Sequence, residues 1–137
     1  MKVFIDTSAF CALAIPHDKH NDAAKSHYTQ IHKRKALLYT SDYVLDETYT
    51  LLKMRGSHET AVKFMTQLET IAIILLSVTD DITEAAKAIF RKFEDRKLSY
   101  TDCTSFALIN HFGINAVFAF DDHFRYHPYK HPVKFLG

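Results

Sequence analysis

Glycine and proline are scarce, three of each in 137 residues, and no low-complexity tract or repeat interrupts the chain. Nothing therefore marks a linker, and residues 1–137 are expected to form one domain without a long disordered tail. Cysteine is scarce too. Cys11 and Cys103 cannot build a dense disulfide framework, and each lies in an apolar helical pattern where a buried thiol is the plain expectation. No apolar run reaches bilayer length, and the opening MKVFID is too short before Asp6 for a signal peptide, so a cytoplasmic protein is expected. Charge of neither sign is in excess: 17 Lys and Arg face 16 Asp and Glu, and a net charge of +1 says little about partners.

What remains is an ordinary globular composition, 47% hydrophobic and 24% charged, long enough for a real core. Its apolar runs alternate with helical patterns. Val3, Phe4 and Ile5 form a strand-prone run with no polar gap, which suits a strand buried on both faces. A short helix from Ser8 to Ile15 ends at Pro16, and Lys19 to Lys35 follows with Ala23, Ala24, Tyr28 and Ile31 as its apolar side. Leu37 to Thr40 reads as a second strand. Ser41 caps a helix running to Arg55 and stopped by Gly56, and Ser57 caps another with Ala61, Phe64, Met65 and Leu68 inward. Ile71 to Val78 is rich in branched residues and reads as a third buried strand. Thr79 opens a helix carrying Ile82, Ala85, Ala86, Ile89 and Phe93. After the loop EDRKL, Ser99 caps a last long helix ending at Gly113. Ala116 to Phe120 is a fourth strand, and Lys134 to Leu136 a minor fifth. Strands separated by helical crossovers predict a three-layer α/β/α fold around a parallel sheet of four to five short strands.

In such sheets the working crevice lies at the carboxyl ends of the strands. Asp6 ends the first strand there, and Asp121 ends the fourth, because NAVFAFDD repeats the grammar of KVFIDTS. Asp122 is adjacent and points differently, so it is a secondary candidate. Glu47 lies one turn from Val44 and Leu51 on the apolar face of its helix, whereas Asp42 and Asp46 share a line with Tyr49 and Lys53 and are expected to see water. Asp102 stands near the start of its helix, in line with Phe106 and Ile109. Each acid taken singly has a structural explanation: Asp6 as a helix cap, Asp102 as part of a capping box with Ser99, Glu47 in an ion pair. Four acids converging on one edge resist that explanation, because packed like charges destabilise the fold unless a cation neutralises them. The oxygen set Asp6, Glu47, Asp102 and Asp121 suits Mg²⁺ or Mn²⁺ rather than zinc.

At these residues the chain resembles the PIN domain family of metal-dependent ribonucleases, which includes VapC-type toxins of toxin–antitoxin pairs. The resemblance runs through FIDTSAF, YVLDETYTLL, LSYTDCTSFAL and FAFDDHF with the terminal PVKFLG. It implies that Asp6, Glu47, Asp102 and Asp121 hold one or two divalent metals, with assistance from a small hydroxyl residue among Thr7, Ser8, Ser99 and Thr101. The doublet Asp121 and Asp122 leaves open which carboxylate faces the metal. Two other doubly wound families fail on residues: a haloacid-dehalogenase-like phosphatase needs a second Asp where Ser8 stands, and a response-regulator receiver needs an Asp ending the third strand. The competing class is a PIN-like fold used only for RNA binding or assembly, without significant catalysis.

An RNA substrate needs positive surface around the acids. Candidate clusters are His32 to Lys35, Lys53 with Arg55, Arg91 with Lys92, Arg96 with Lys97, and the tail with Arg125, Lys130 and Lys134. Pro128 and Pro132 break any helix that would align His123, His127 and His131, so these histidines read as loop and surface residues, with His123 placed to contact a phosphate. Leu51, Leu52, Met54, Phe64 and Met65 give their helix pair more apolar surface than one stripe needs. The family resemblance points the same way, to a homodimer and to an apolar antitoxin helix held in a groove on this helix pair.

Overall fold

The computed structural model describes residues 1–137. Five strands, β1 (Lys2–Ile5), β2 (Leu37–Ser41), β3 (Ile73–Leu76), β4 (Ala116–Phe118) and β5 (Lys134–Leu136), form one sheet in the order β3-β2-β1-β4-β5. Every pairing is parallel. Helices α1 (Thr7–Ala14), α2 (Asn21–Lys33), α3 (Asp42–Leu51), α4 (His58–Leu68), α5 (Asp80–Lys92), α6 (Tyr100–Phe112) and α7 (His123–Tyr126) complete a three-layer α/β/α architecture.

β1 sits at the centre, with Phe4 opposite Tyr39 of β2 on one side and Val117 of β4 on the other. Both its faces are covered, so Val3, Phe4 and Ile5 are fully buried, as are Ala116, Val117 and Phe118 of β4. The chain first winds outward from β1 through β2 to β3, then crosses back to β4 and out to β5. The winding reverses between β1 and β4, and the crevice at a doubly wound sheet's carboxyl edge opens at such a reversal. Helix ends follow their local chemistry. The Ser41 hydroxyl accepts from the Val44 amide at 3.0 Å at the start of α3, and α6 closes on Gly113 at a left-handed φ of 62°.

The structure corrects several sequence expectations. The segment Ile71 to Val78 is not a buried strand: β3 spans Ile73–Leu76 at the sheet edge, and Leu75 is 55% exposed. Branched residues reported strand propensity there, while position in the sheet is decided by distant pairing. Ala23, Met65 and Ala85 face water rather than the core, because the covered stripes of α2, α4 and α5 are narrower than their runs of apolar residues. The helix expected to reach Arg55 ends at Leu51 and widens into a π-helical turn over Leu52–Gly56. β4 stops at Phe118, leaving Ala119 and Phe120 to carry the chain to Asp121. His127 is not a surface residue. It is 7% exposed and stacks on Phe106 with ring centroids 4.0 Å apart, while the His131 ring is half-buried with Nε2 2.6 Å from the Ile114 carbonyl oxygen.

Candidate active site

Asp6 follows β1 directly and serves as N-cap of α1. Its Oδ2 accepts from the Ser8 amide at 3.1 Å and the Ser8 hydroxyl at 2.7 Å, while Ser8 Oγ accepts from the Phe120 amide at 2.9 Å. One side chain thus ties the ends of β1 and β4 together. Thr7 also borders this crevice but is buried, and its hydroxyl is engaged with α3: it donates to the Val44 carbonyl at 3.4 Å and accepts from Thr48 at 3.3 Å, locking α1 to α3. Asp102 completes a capping box, accepting from the Ser99 amide at 3.4 Å while its own amide donates to Ser99 Oγ at 3.0 Å. The capping role and a place in the crevice are therefore compatible in one residue.

Asp6, Glu47, Asp102 and Asp121 line a single open pocket of about 360 Å³, together with Ser8, Ser99, Arg55, Lys97 and His123. Glu47 is half-buried, because the deepest positions of α3 belong to Val44 and Thr48. Burial pushes the Asp6 carboxyl up to about 6, against the pull of its Ser8 hydrogen bonds, and the Glu47 charge adds to the rise. Burial first, then the charges of Asp6 and Asp121, push Asp102 up to about 7. Both carboxyls are thus harder to ionise than an ordinary Asp, in surroundings where a cation would relieve the cost. Cys11 also lines the pocket, but burial raises its thiol to about 11, which makes it an inert neighbour.

Asp102, Asp121 and His123 bring one donor atom each within 4.8 Å of one another, a cluster able to hold a divalent ion. The donor chemistry fits such an ion, and His123 Nδ1 is enclosed without a hydrogen-bond partner. Asp122 is exposed at the start of α7 and does not line the pocket. Thr101 contributes its carbonyl to the Thr104 hydroxyl at 2.7 Å and also stands outside.

The basic candidates separate by position. Arg55 lines the pocket but is committed to Asp18 at 2.9 Å, and Lys97 lines it from the loop before α6. Arg96 lies over the Phe93 ring at 4.5 Å and donates to the Tyr126 carbonyl at 3.4 Å. Arg125 donates to the Gly137 carbonyl and covers Phe135 at 5.6 Å, while Lys53 is exposed and does not line the pocket. Sequence reasoning missed a second hollow that shares Ser8, Arg55 and Asp121 with the first. There His20 stacks on Phe120 at 4.4 Å beside His17 and Lys19. No local motif announces this hollow, since it joins the loop before α2 to the end of β4.

A PIN domain family model matches residues 3–128. The chain is 33% identical over 122 residues to the 23S rRNA-specific endonuclease VapC20 of Mycobacterium tuberculosis, covering 89% of this chain and 91% of that protein. The crystal structure of that organism's VapC20, described as a sarcin-ricin loop cleaving toxin, superposes with a TM-score of 0.81 at 32% identity, over 90% of this chain and 93% of that one. Rickettsia felis VapBC2, solved with a promoter DNA fragment, shares the fold with a TM-score of 0.75 at 11% identity over the full length of both chains. FitAcB of Neisseria gonorrhoeae does so with a TM-score of 0.62 at 13% identity, over 88% of each chain. The order β3-β2-β1-β4-β5, the acidic crevice at its reversal and a family match spanning residues 3–128 lead to one conclusion: this chain belongs to the PIN domain family.

Proposed function

We propose that the protein is a divalent-metal-dependent endoribonuclease and the toxin of a toxin–antitoxin pair, acting in the cytoplasm. The observation that carries this reading is the convergence of Asp6, Glu47, Asp102 and Asp121 on one pocket at the carboxyl edge of β1 and β4. Mg²⁺ or Mn²⁺, when bound by these acids, supplies charge neutralisation and Lewis acidity toward a phosphodiester. The chain does the positioning. Ser8 and Ser99 fix the Asp6 and Asp102 carboxylates by hydrogen bonds, and Lys97 at the pocket edge offers a phosphate a cation that no carboxylate already holds. Asp121, not Asp122, is assigned to the site, because it alone of the doublet lines the pocket. A structured loop of 23S rRNA is the proposed substrate class, by likeness to VapC20.

A separate apolar groove of about 350 Å³, lined by Phe10, Leu13, Tyr28, Phe64, Leu68 and Ile71, is the proposed seat for an antitoxin helix. Homodimerisation is assigned to the α3–α4 region, where Met54 and Met65 remain exposed although Leu52 and Phe64 are absorbed by the monomer's own core. The purified protein should cleave a 23S rRNA stem-loop with Mg²⁺ or Mn²⁺, stop in EDTA, and lose most activity as Asp6→Asn or Asp102→Asn. Undiminished cleavage by both variants would sink the assignment, and binding without any metal-dependent turnover would leave a PIN-fold RNA-binding module.

A further inference from the structure

His123 stands where an all-carboxylate centre would not need it. Its Nδ1 lies 3.2 Å from Asp121 Oδ1 and 3.6 Å from Asp102 Oδ2, yet neither approach has hydrogen-bond geometry and the atom is closed to water. An enclosed ring nitrogen that faces two carboxylates with no hydrogen-bond partner is placed to share a cation with them. The residue is also held in place. Its amide donates to Asp121 Oδ1 at 2.9 Å, which makes Asp121 and His123 one rigid unit, and the next residue, Phe124, anchors α7 in the core against Phe106 with ring centroids 5.1 Å apart.

We propose that His123 is a metal ligand, so that Nδ1 and one oxygen each of Asp102 and Asp121 form a mixed nitrogen–oxygen seat that selects Mn²⁺ over Mg²⁺. The inference rests on the reading above that this pocket holds a divalent ion. Ligands on opposite sides of an ion with bonds of about 2.1 Å stand about 4.2 Å apart, so donors within 4.8 Å of one another need only small adjustments to share one. Mg²⁺ favours oxygen and gives up its water reluctantly, whereas an imidazole suits first-row transition metals. Asp6 and Glu47 line the same pocket and stand available to complete the ion's coordination. Coordination through Nδ1 leaves the ring proton on Nε2, compatible with a side chain still 33% exposed.

The test needs no RNA. Substoichiometric Mn²⁺ is added to the full-length protein and read by pulsed electron paramagnetic resonance for ¹⁴N modulation from a directly bound imidazole. The expected result is nitrogen modulation in the wild type that disappears in His123→Gln and His123→Asn. Calorimetry should report at least about a tenfold loss of Mn²⁺ affinity in these variants against less than about twofold for Mg²⁺. Bound Mn²⁺ without nitrogen modulation in the wild type overturns the His123 assignment and leaves the metal centre standing, and modulation that survives both substitutions overturns it in favour of another histidine. If Mn²⁺ does not bind at all, the metal-centre reading falls together with it.

Discussion

The Ser8 hydroxyl accepts a hydrogen bond from the Phe120 amide at 2.9 Å, joining positions 112 residues apart across the mouth of the acidic crevice. Because that hydroxyl also spends its own proton on Asp6, it adds a side-chain link to the backbone hydrogen bond from the Asp6 amide to the Phe118 carbonyl at 3.0 Å. Ser8→Ala strands the Phe120 amide and removes a donor from Asp6. The expected cost is about 1–3 kcal/mol in urea denaturation, with a clear fall in RNA cleavage. Wild-type cleavage by Ser8→Ala would show that this link does not position the catalytic carboxylates.

Asp102 gives a second prediction, in which activity and stability move in opposite directions. Its folded carboxyl is raised to about 7 from an ordinary 3.8, so the folded state binds the proton more tightly than the unfolded chain. That contribution to stability is fully present below pH 3.8 and is lost as pH rises through 7. Asn cannot ionise and keeps an oxygen for the Ser99 amide. In EDTA at pH 8, Asp102→Asn should therefore unfold at higher urea than wild type, by on the order of 1–3 kcal/mol, with the gap closing toward pH 4. Adding Mn²⁺ should stabilise wild type and leave the variant nearly unmoved. Asp46→Asn, at an exposed position, should change none of these.

His127 supplies a pH dependence of opposite sign away from the metal pocket. Burial first, then the charges of Arg96 and Lys92, lower its folded value to about 4 from 6.5. The folded state therefore excludes a proton that the unfolded chain accepts, and the resulting stability is present above pH 6.5 and lost as pH falls through 4. His127→Phe keeps a ring on Phe106 and cannot titrate. The stability difference between wild type and His127→Phe should shift against wild type by about 1 kcal/mol or more between pH 7 and pH 5. A difference independent of pH would show that His127 titrates normally.

These residues also show what the sequence could and could not disclose. β1 and the run leading to Asp121 were readable because strands covered on both faces carry no polar gap, and a carboxylate after such a strand has few places to go. Asp102 was readable through its helical register with Phe106. His127 was not. Pro128 correctly signalled the end of a helix, but burial of the histidine is set by the Phe106 ring, 21 positions earlier in the chain and invisible to local pattern. The exposure of Leu75 escaped for the same reason, since composition marks a strand but not its place at the edge. His123 was read as a phosphate contact, and spacing alone could not show that its Nδ1 would stand 3.2 Å from Asp121.

The last prediction concerns assembly. Met54 is 78% exposed on the π-helical turn and Met65 41% exposed on α4, two flexible apolar side chains that the monomer leaves partly in water. Since Met54 is largely bare and Met65 only partly covered, replacing both with Glu should lower the urea midpoint of a monomer only slightly. In a dimer joined through this face, the same change buries like charges against each other and should drive the subunits apart. Sedimentation at micromolar concentration is expected to give a dimer for wild type and a monomer for Met54→Glu/Met65→Glu, with RNA cleavage per chain retained if each subunit's pocket is complete. A wild type that sediments as a strict monomer would remove the dimer while leaving the nuclease chemistry untouched. A double variant that remains dimeric would move the interface elsewhere, and the edge formed by Ile74 and Leu75 would be the next surface to charge.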